Sequence, residues 1–411
     1  MAEGKGAYSL FQSDIDLLTL FLGFTISSAI VFYISNNKIA IEKLLGLGIV
    51  AISIGITLLS VFLTVLYIFY TSNLLFPSGY SSIFHYAYII ASFGLVISIS
   101  ILSSIFQGKS LFKVVNYITI FISSLNFIVF GILFYANIFL GYKFSVNDIL
   151  IVSLSIYLIN LSVWIFCFKK YINILPKFTF NYLNEVKPLF IFITIGHLSQ
   201  MVNFLTYKMD YWIIDHYNGA KELGYYSQAA GLSMMFAAIT NPIIIVLTPY
   251  LTSKNSKESL IYFKFYSRLN FTVTISFVVL AVLLAGLIFP IYGKEFSNSV
   301  LPFRILSIGI IMSSITKIFA VYIYSQNKMK YNLIATIIAF FVTLVLDLIL
   351  IPLYGSAGAS IATAVSYTVL TISVSYFLFI KFKIDFKNLF FLTRSDLLSI
   401  KSKMPITFFK K

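Results

Sequence analysis

Charge is what this sequence lacks most. Only 10% of its 411 residues are Asp, Glu, Lys or Arg, where a soluble chain coats its surface with about 25%. The shortage excludes the string of soluble domains that such a length would otherwise suggest. Cysteine is equally scarce. Cys167 is the only one, so no internal disulfide can form and a cysteine-ligated metal is excluded. There is no Gly-x-x-x-x-Gly-Lys-Ser/Thr loop, which excludes a nucleotide-driven pump within this chain. Residues 1–18 lack a basic stretch followed by an apolar core and a cleavage site, so no cleavable signal peptide is expected. No cofactor motif is found, and no metal site is expected.

What the chain has instead is apolar length. Hydrophobic residues make up 59% and mean hydropathy is +0.95. Apolar runs of 20 or more residues recur, each able to cross about 30 Å of hydrocarbon as a helix. The predicted fold is all-α and polytopic, with about eleven transmembrane helices at 8–34, 44–70, 83–106, 114–140, 148–168, 187–215, 222–252, 262–290, 298–325, 331–353 and 357–380.

The net charge of +15 is a matter of loops, not of nucleic acid. Lys and Arg in alternate loops divide 22 to 4. The positive-inside rule places the rich set, including Lys169, Lys170, Lys177 and the tail 381–411, in the cytoplasm. The C-terminus is then inside and the N-terminus of this chain outside, in a multi-pass protein of the cytoplasmic membrane. The basic tail is expected on a membrane surface, drawn to anionic lipid.

The chain also repeats itself. Gly6, Tyr8 and Ser9 recur as Gly224, Tyr226 and Ser227, 218 residues later. Phe76-Pro77 recurs as Phe289-Pro290, and Gln107 and Lys109 recur as Gln326 and Lys328. The offset spans six helices, so the halves share one orientation, a parallel repeat of the kind found in alternating-access transporters. The bundles are predicted at 1–168 (five helices) and 187–380 (six), joined by a cytoplasmic linker at 169–186 and followed by the tail 381–411. The second bundle has a helix before its Gly-x-Tyr-Ser segment and the first has none. A 6+6 plan lacking its first helix is the expectation.

LGYYSQAAGL after a helix that ends in an acidic residue, TPYLTS at 248–253, and above all LDLILIPLYGSAGASIATAVSY at 346–367 resemble the polysaccharide translocases (Wzx-type flippases) of the multidrug/oligosaccharidyl-lipid/polysaccharide exporter superfamily. Ile351, Pro352, Gly355, Gly358 and Ala359 carry that pattern. The resemblance implies a MATE-like fold without enzymatic activity. It further implies an undecaprenyl-pyrophosphate-linked oligosaccharide as substrate, moved across the membrane by alternating access through a cationic cavity for O-antigen, capsule or exopolysaccharide. Membrane lipids, a polysaccharide polymerase and glycosyltransferases are the implied partners. A multidrug/cation antiporter of the same superfamily and a membrane polysaccharide polymerase are the alternatives.

An ionisable group within a span is unfavourable by about 2.5–3.5 kcal/mol on insertion scales, so each is a candidate. Lys317 and Arg304 are candidate cavity cations for an anionic substrate; the bland reading is an ion pair with a neighbour such as Asp347. Gln200 and Asn203 lie with His197 along one helix face and are candidate substrate contacts. Asp210, His197 and Asp347 are candidate ion-coupling groups, against interfacial charges or a neutral core histidine. Lys208 reads as interfacial. Asp14 and Asp16 read as first-turn acids suited to a helix dipole. Asn241-Pro242 interrupts its helix, and Pro242 is a candidate hinge, since proline removes a backbone donor. The Gly-x-Tyr-Ser motif itself reads as a repeat mark and not as a site.

Overall fold

The computed structural model describes residues 2–23, 26–35, 39–69, 76, 79–253, 256–326, 328, 330–384, 389–394 and 396. Its elements are α1 (Ala2–Gly23), α2 (Ile26–Ser35), α3 (Ile41–Ile68), α4 (Ile83–Gly108), α5 (Phe112–Phe139), α6 (Val146–Tyr171), α7 (Lys187–Ala237), α8 (Thr240–Ser253), α9 (Ser256–Ile291), α10 (Val300–Ser325) and α11 (Lys330–Phe382). Among the described residues, eight helices are long and apolar enough to cross a membrane. The all-helical, multi-pass class expected from the sequence is therefore the observed one.

Two of the long helices are not single rods. α11 runs for 53 residues, about 80 Å at 1.5 Å per residue and far beyond one span. It breaks at Gly355, whose φ of 54° and ψ of −131° leave the helical region. A residue with a Cβ is strained at that φ. α7 breaks in the same way at Gly219 (φ 81°, ψ 169°). Both breaks fall in the gaps that the hydropathy pattern leaves at 216–221 and 354–356. α7 ends at Ala237 and α8 begins at Thr240, so the interruption near Asn241-Pro242 is real. It lies just before the proline, which occupies the first turn of α8, where a missing N–H is tolerated.

The chain divides into two compact units, Ala7–Phe204 and Met1–Gly6 with Leu205–Lys411. The division falls within α7, whereas the sequence pattern draws its bundles around 169–186. In the N-terminal unit, Phe11, Ile15, Leu59, Ile89, Phe93, Ile105 and Phe106 form the core. α5 contributes only Ile118 to the buried set. It presents Tyr117, Phe121 and Phe127 outward, as a lipid-facing helix does. Ser145 and Asp148 close a capping box at the start of α6, with Asp148 N donating to Ser145 Oγ at 3.2 Å and Ser145 N to Asp148 Oδ2 at 2.8 Å. His85 ties α4 to α6. Its Nδ1 accepts from Ser82 N, so Nε2 carries the proton and donates to Asn147 Oδ1 at 2.9 Å.

In the C-terminal unit α10 is the central helix, with Phe303, Ile310, Ile318, Phe319 and Ile323 buried along it. Small residues bring α11 close. A Cβ on Gly309 would lie 2.9 Å from Ala364 Cα. Close backbone approach of this kind, with polar side chains as cross-links, is how helices associate where lipid removes the hydrophobic drive. The cross-links here are Thr316 to Thr371 at 2.7 Å, and Thr343 to Ser366 between the two rods of α11.

Candidate functional site

The polar centre of the C-terminal unit is a layer defined by the two helix breaks. Asp210 lies nine residues before Gly219 and Tyr226 seven after it; Asp347 lies eight before Gly355 and Thr363 eight after. At 1.5 Å per residue, all four sit about 10–14 Å along their rods from a break. The structure brings them together. Tyr226 Oη donates to Asp210 Oδ2. Thr363 Oγ1 lies 3.2 Å from the same phenol oxygen, and because the phenol proton is given to Asp210, Thr363 is the donor there. Asp347 acts electrostatically on Asp210. Asp347 is 0% exposed and Asp210 4%. Neither oxygen of Asp347 has a hydrogen-bond partner among the described residues.

The surrounding shell is aromatic and carries a cation. Tyr211 meets Tyr226 edge to face at 5.7 Å, and Tyr207 packs on Tyr367 at 5.5 Å. Lys208 stands over the Tyr211 ring at 4.1 Å and acts on the Asp210 charge. It is thus part of the carboxylate surroundings, beyond the interfacial role expected for it. A carboxylate buried without a partner is strongly unfavourable until a counter-charge or proton joins it. The oxygen set of two carboxylates, a hydroxyl and a phenol suits a proton or a hard cation. Among the described residues, no three His, Cys, Asp or Glu side chains gather as a metal site.

The other predicted residues go elsewhere. Lys317 donates from Nζ to the carbonyl of Ala237 at 2.9 Å. It therefore caps the broken end of α7 and makes no ion pair with Asp347. Arg304 is exposed on α10. His197 is buried and belongs to the N-terminal unit, whereas Asp210 and Asp347 belong to the C-terminal one. The side chains of Gln200 and Asn203 lie outside the described residues. Asp14 and Asp16 are not first-turn acids, because α1 begins at Ala2; Asp14 is mid-helix and fully buried.

Two features escaped the sequence. Tyr226 belongs to the Gly-x-Tyr-Ser motif, read there as a repeat mark only, yet it holds Asp210. Its repeat counterpart Tyr8 lies against Ser153 of α6, as Tyr226 meets Thr363 on the second rod of α11. The other feature is a cavity of about 510 Å³ in the C-terminal unit, lined by Asn218, Glu222, Tyr225, Asn298, Tyr354 and Ser356 among others.

A family model described as polysaccharide biosynthesis protein matches residues 2–255, well over half of the chain. The chain belongs to the polysaccharide biosynthesis protein family. A curated relative of this polysaccharide biosynthesis protein is the capsular polysaccharide biosynthesis protein CapF of Staphylococcus aureus, 25% identical over 213 residues. The match covers 51% of this chain and 54% of the relative, so it spans about half of either length. Among solved structures, an inward-facing multidrug resistance MATE family transporter of the MOP superfamily superposes with a TM-score of 0.70 at 14% identity, over 98% of this chain and 95% of that one. The lipid II flippase MurJ, inward closed, gives a TM-score of 0.65 at 15% identity over 97% and 89%. The fold of this polysaccharide biosynthesis protein is thus MATE-like, the fold of multi-pass membrane transporters.

Proposed function

We propose that this protein is a flippase that carries an undecaprenyl-pyrophosphate-linked oligosaccharide from the cytoplasmic to the outer leaflet, for O-antigen, capsule or exopolysaccharide. It works by alternating access, with a cationic cavity for the anionic lipid, and is not an enzyme. Family membership supports the polysaccharide, and the likeness to transporter folds supports translocation. The observation that carries the mechanism is the buried Asp210–Tyr226–Thr363–Asp347 layer. Two carboxylates out of water in one layer form a site whose stability depends on loading, by a proton or one monovalent cation. Such a site couples an ion gradient to a conformational equilibrium when the ion binds one state better than the other. Lys317 and Arg304 are the candidate cations for pyrophosphate and acidic sugars, and Pro242 the candidate hinge beside the end that Lys317 caps. His197, Gln200 and Asn203 stay candidates on the first part of α7. The loop-charge bias supports a cytoplasmic C-terminus, with the helix breaks at Gly219 and Gly355 toward the outside. Glycosyltransferases and a polymerase are the expected partners.

The buried acidic layer also favours a second reading, a multidrug/cation antiporter of the same superfamily, because acidic sites bind cationic drugs. One experiment separates the two. A deletion strain is complemented with wild type, Asp347→Asn and Lys317→Ala, and scored for surface polysaccharide, lipid-linked oligosaccharide and drug susceptibility. The flippase reading expects surface polysaccharide to vanish and lipid-linked units to accumulate in the deletion and in both variants at unchanged protein level. Normal polysaccharide with raised drug susceptibility would establish the antiporter instead.

A further inference from the structure

The cavity in the C-terminal unit lies over the same helix faces as the carboxylate layer. Glu222 and Tyr226 are four residues apart on the second rod of α7, and Ser356 and Thr363 seven apart on the second rod of α11. Both spacings keep a pair on one side of a helix. The upper member of each pair, Glu222 or Ser356, lines the cavity. The lower member, Tyr226 or Thr363, belongs to the layer. Cavity and layer are therefore stacked, one to two helical turns apart, or about 6–11 Å.

Two residues of the cavity wall also hold an unpartnered oxygen buried behind it. Asn218 Oδ1 and Glu222 Oε2 are buried atoms with no hydrogen-bond partner among the described residues. Glu222 lies against the α11 break itself, since a Cβ on Gly355 would come within 3.2–3.3 Å of its Cγ, Cδ and Oε1. A larger residue at 355 would push the carboxylate aside. Asn298, from the 3₁₀ turn Lys294–Ser299, adds another amide. The wall's lysine, Lys221, is exposed and acts electrostatically on Glu295 of that turn, which offsets its charge. An open chamber walled by two amides and a carboxylate is a stopping place for a small cation or a proton on its way inward.

We propose that this cavity is the access chamber through which a proton or hydrated monovalent cation reaches Asp210 and Asp347, with Glu222 as the relay carboxylate at its floor. The proposal rests on the reading of those two aspartates as the coupling site. It makes Glu222 a kinetic group. Asp347 sets whether the ion binds, and Glu222 how fast it arrives.

The test uses purified full-length protein in detergent and its tryptophan fluorescence, to which Trp212, two residues from Asp210, contributes. Sodium chloride is mixed against choline chloride at fixed ionic strength in one arm, and a pH jump is applied in the other. Wild type, Asp347→Asn and Glu222→Gln are compared, together with Asn298→Cys in a Cys167→Ser background before and after reaction with a bulky maleimide. Asn298 is exposed, so that last variant keeps the fold whatever Glu222→Gln does. In the arm where wild type responds, Asp347→Asn is expected to abolish the response. Glu222→Gln and maleimide-blocked Asn298→Cys are expected to keep its amplitude and slow it at least fivefold. A response lost in Asp347→Asn but fast in both chamber variants overturns the chamber and leaves the coupling site standing. No response in wild type, or an unchanged one in Asp347→Asn, overturns the coupling site and the chamber with it.

Discussion

Gly6 and Gly224, equivalent positions of the sequence repeat, pack against each other's helix in the C-terminal unit. A Cβ on Gly6 would overlap the carbonyl oxygen of Ala220 and come within 2.8 Å of Gly224 N; a Cβ on Gly224 would overlap the carbonyl of Ala2. The duplication is thus a contact as well as a pattern. Two copies of one helix start cross where neither can bear a side chain, and Ala2 N donates to Glu295 Oε1 at 2.9 Å beside the crossing.

That crossing makes a prediction about stability. Gly6→Ala and Gly224→Ala each place a methyl group on a backbone carbonyl that cannot rotate away. Overpacking of this kind is destabilising by about 1–3 kcal/mol. Each variant is expected to melt several degrees below wild type in detergent. Melting at the wild-type temperature would show that the crossing opens freely.

Asp347→Asn and Tyr226→Phe, one on each side of the buried layer, should respond in opposite ways. Asp347 has no hydrogen-bond partner to lose among the described residues, so Asp347→Asn removes an unfavourable buried charge. Its melting temperature is expected to equal or exceed that of wild type while polysaccharide export is lost. Tyr226→Phe instead takes away the donor that serves Asp210, and leaving a buried acceptor unmade is destabilising by about 1–3 kcal/mol. Thermal melts paired with export assays check both. A Tyr226→Phe protein as stable as wild type would remove the hydrogen bond from the account.

What the sequence made legible follows the physics of scarcity. A charge inside an apolar run stands out, so Asp210 and Asp347 are visible in the linear chain, and the fold does bring them together. A glycine after Ile-Pro in a 50-residue apolar stretch announces a break, and Gly355 provides it. Tyr226 was not legible as a site residue. It is one of 28 tyrosines, and its value comes from a rod crossing that no linear pattern encodes. Glu222 was hidden for a similar reason, since a charge at a loop edge looks solvated until the break at Gly355 is seen to lie against it. Lys317 was legible as a deep cation, but its partner is a main-chain carbonyl, which carries no sequence signal.

Lys317 and the helix break near Pro242 form one unit, and so predict a graded mutant series. The ammonium serves the Ala237 carbonyl at the end of α7, where helix-end carbonyls lack partners and favour a cation. Lys317→Met keeps most of the side-chain bulk and loses the cap; Lys317→Arg keeps the charge. Export is expected to fall at least tenfold in Lys317→Met and to be partly retained in Lys317→Arg, at equal protein level. Full activity in Lys317→Met would exclude both the cap and a cavity role.

The segment before the C-terminus is held by a charge clamp with its own pH window. Arg268 on α9 donates from Nε and Nη2 to the two oxygens of Asp396, both at 2.7 Å, and Thr393 N donates to the same carboxylate at 2.8 Å. Burial raises the Asp396 pKa, but the Arg268 and Thr393 hydrogen bonds outweigh it and hold the carboxyl down at about 2. A carboxylate depressed in the folded state contributes stability above its unfolded value of about 3.9, and that contribution is lost as pH falls toward the folded value. The clamp is therefore closed throughout neutral and mildly acidic conditions and opens between about pH 4 and pH 2. Leu392 N donates to Thr272 Oγ1, and Phe390 and Phe391 pack on Phe271, so an open clamp frees a segment that is otherwise seated on α9. Hydrogen exchange across 389–394 should be slow at pH 7 in wild type and fast in Arg268→Ala. After correction for intrinsic rates, wild type should approach the variant as pH falls below 4. Equal protection in the two proteins at pH 7 would show that the aromatic contacts alone hold the segment, with the ion pair adding nothing.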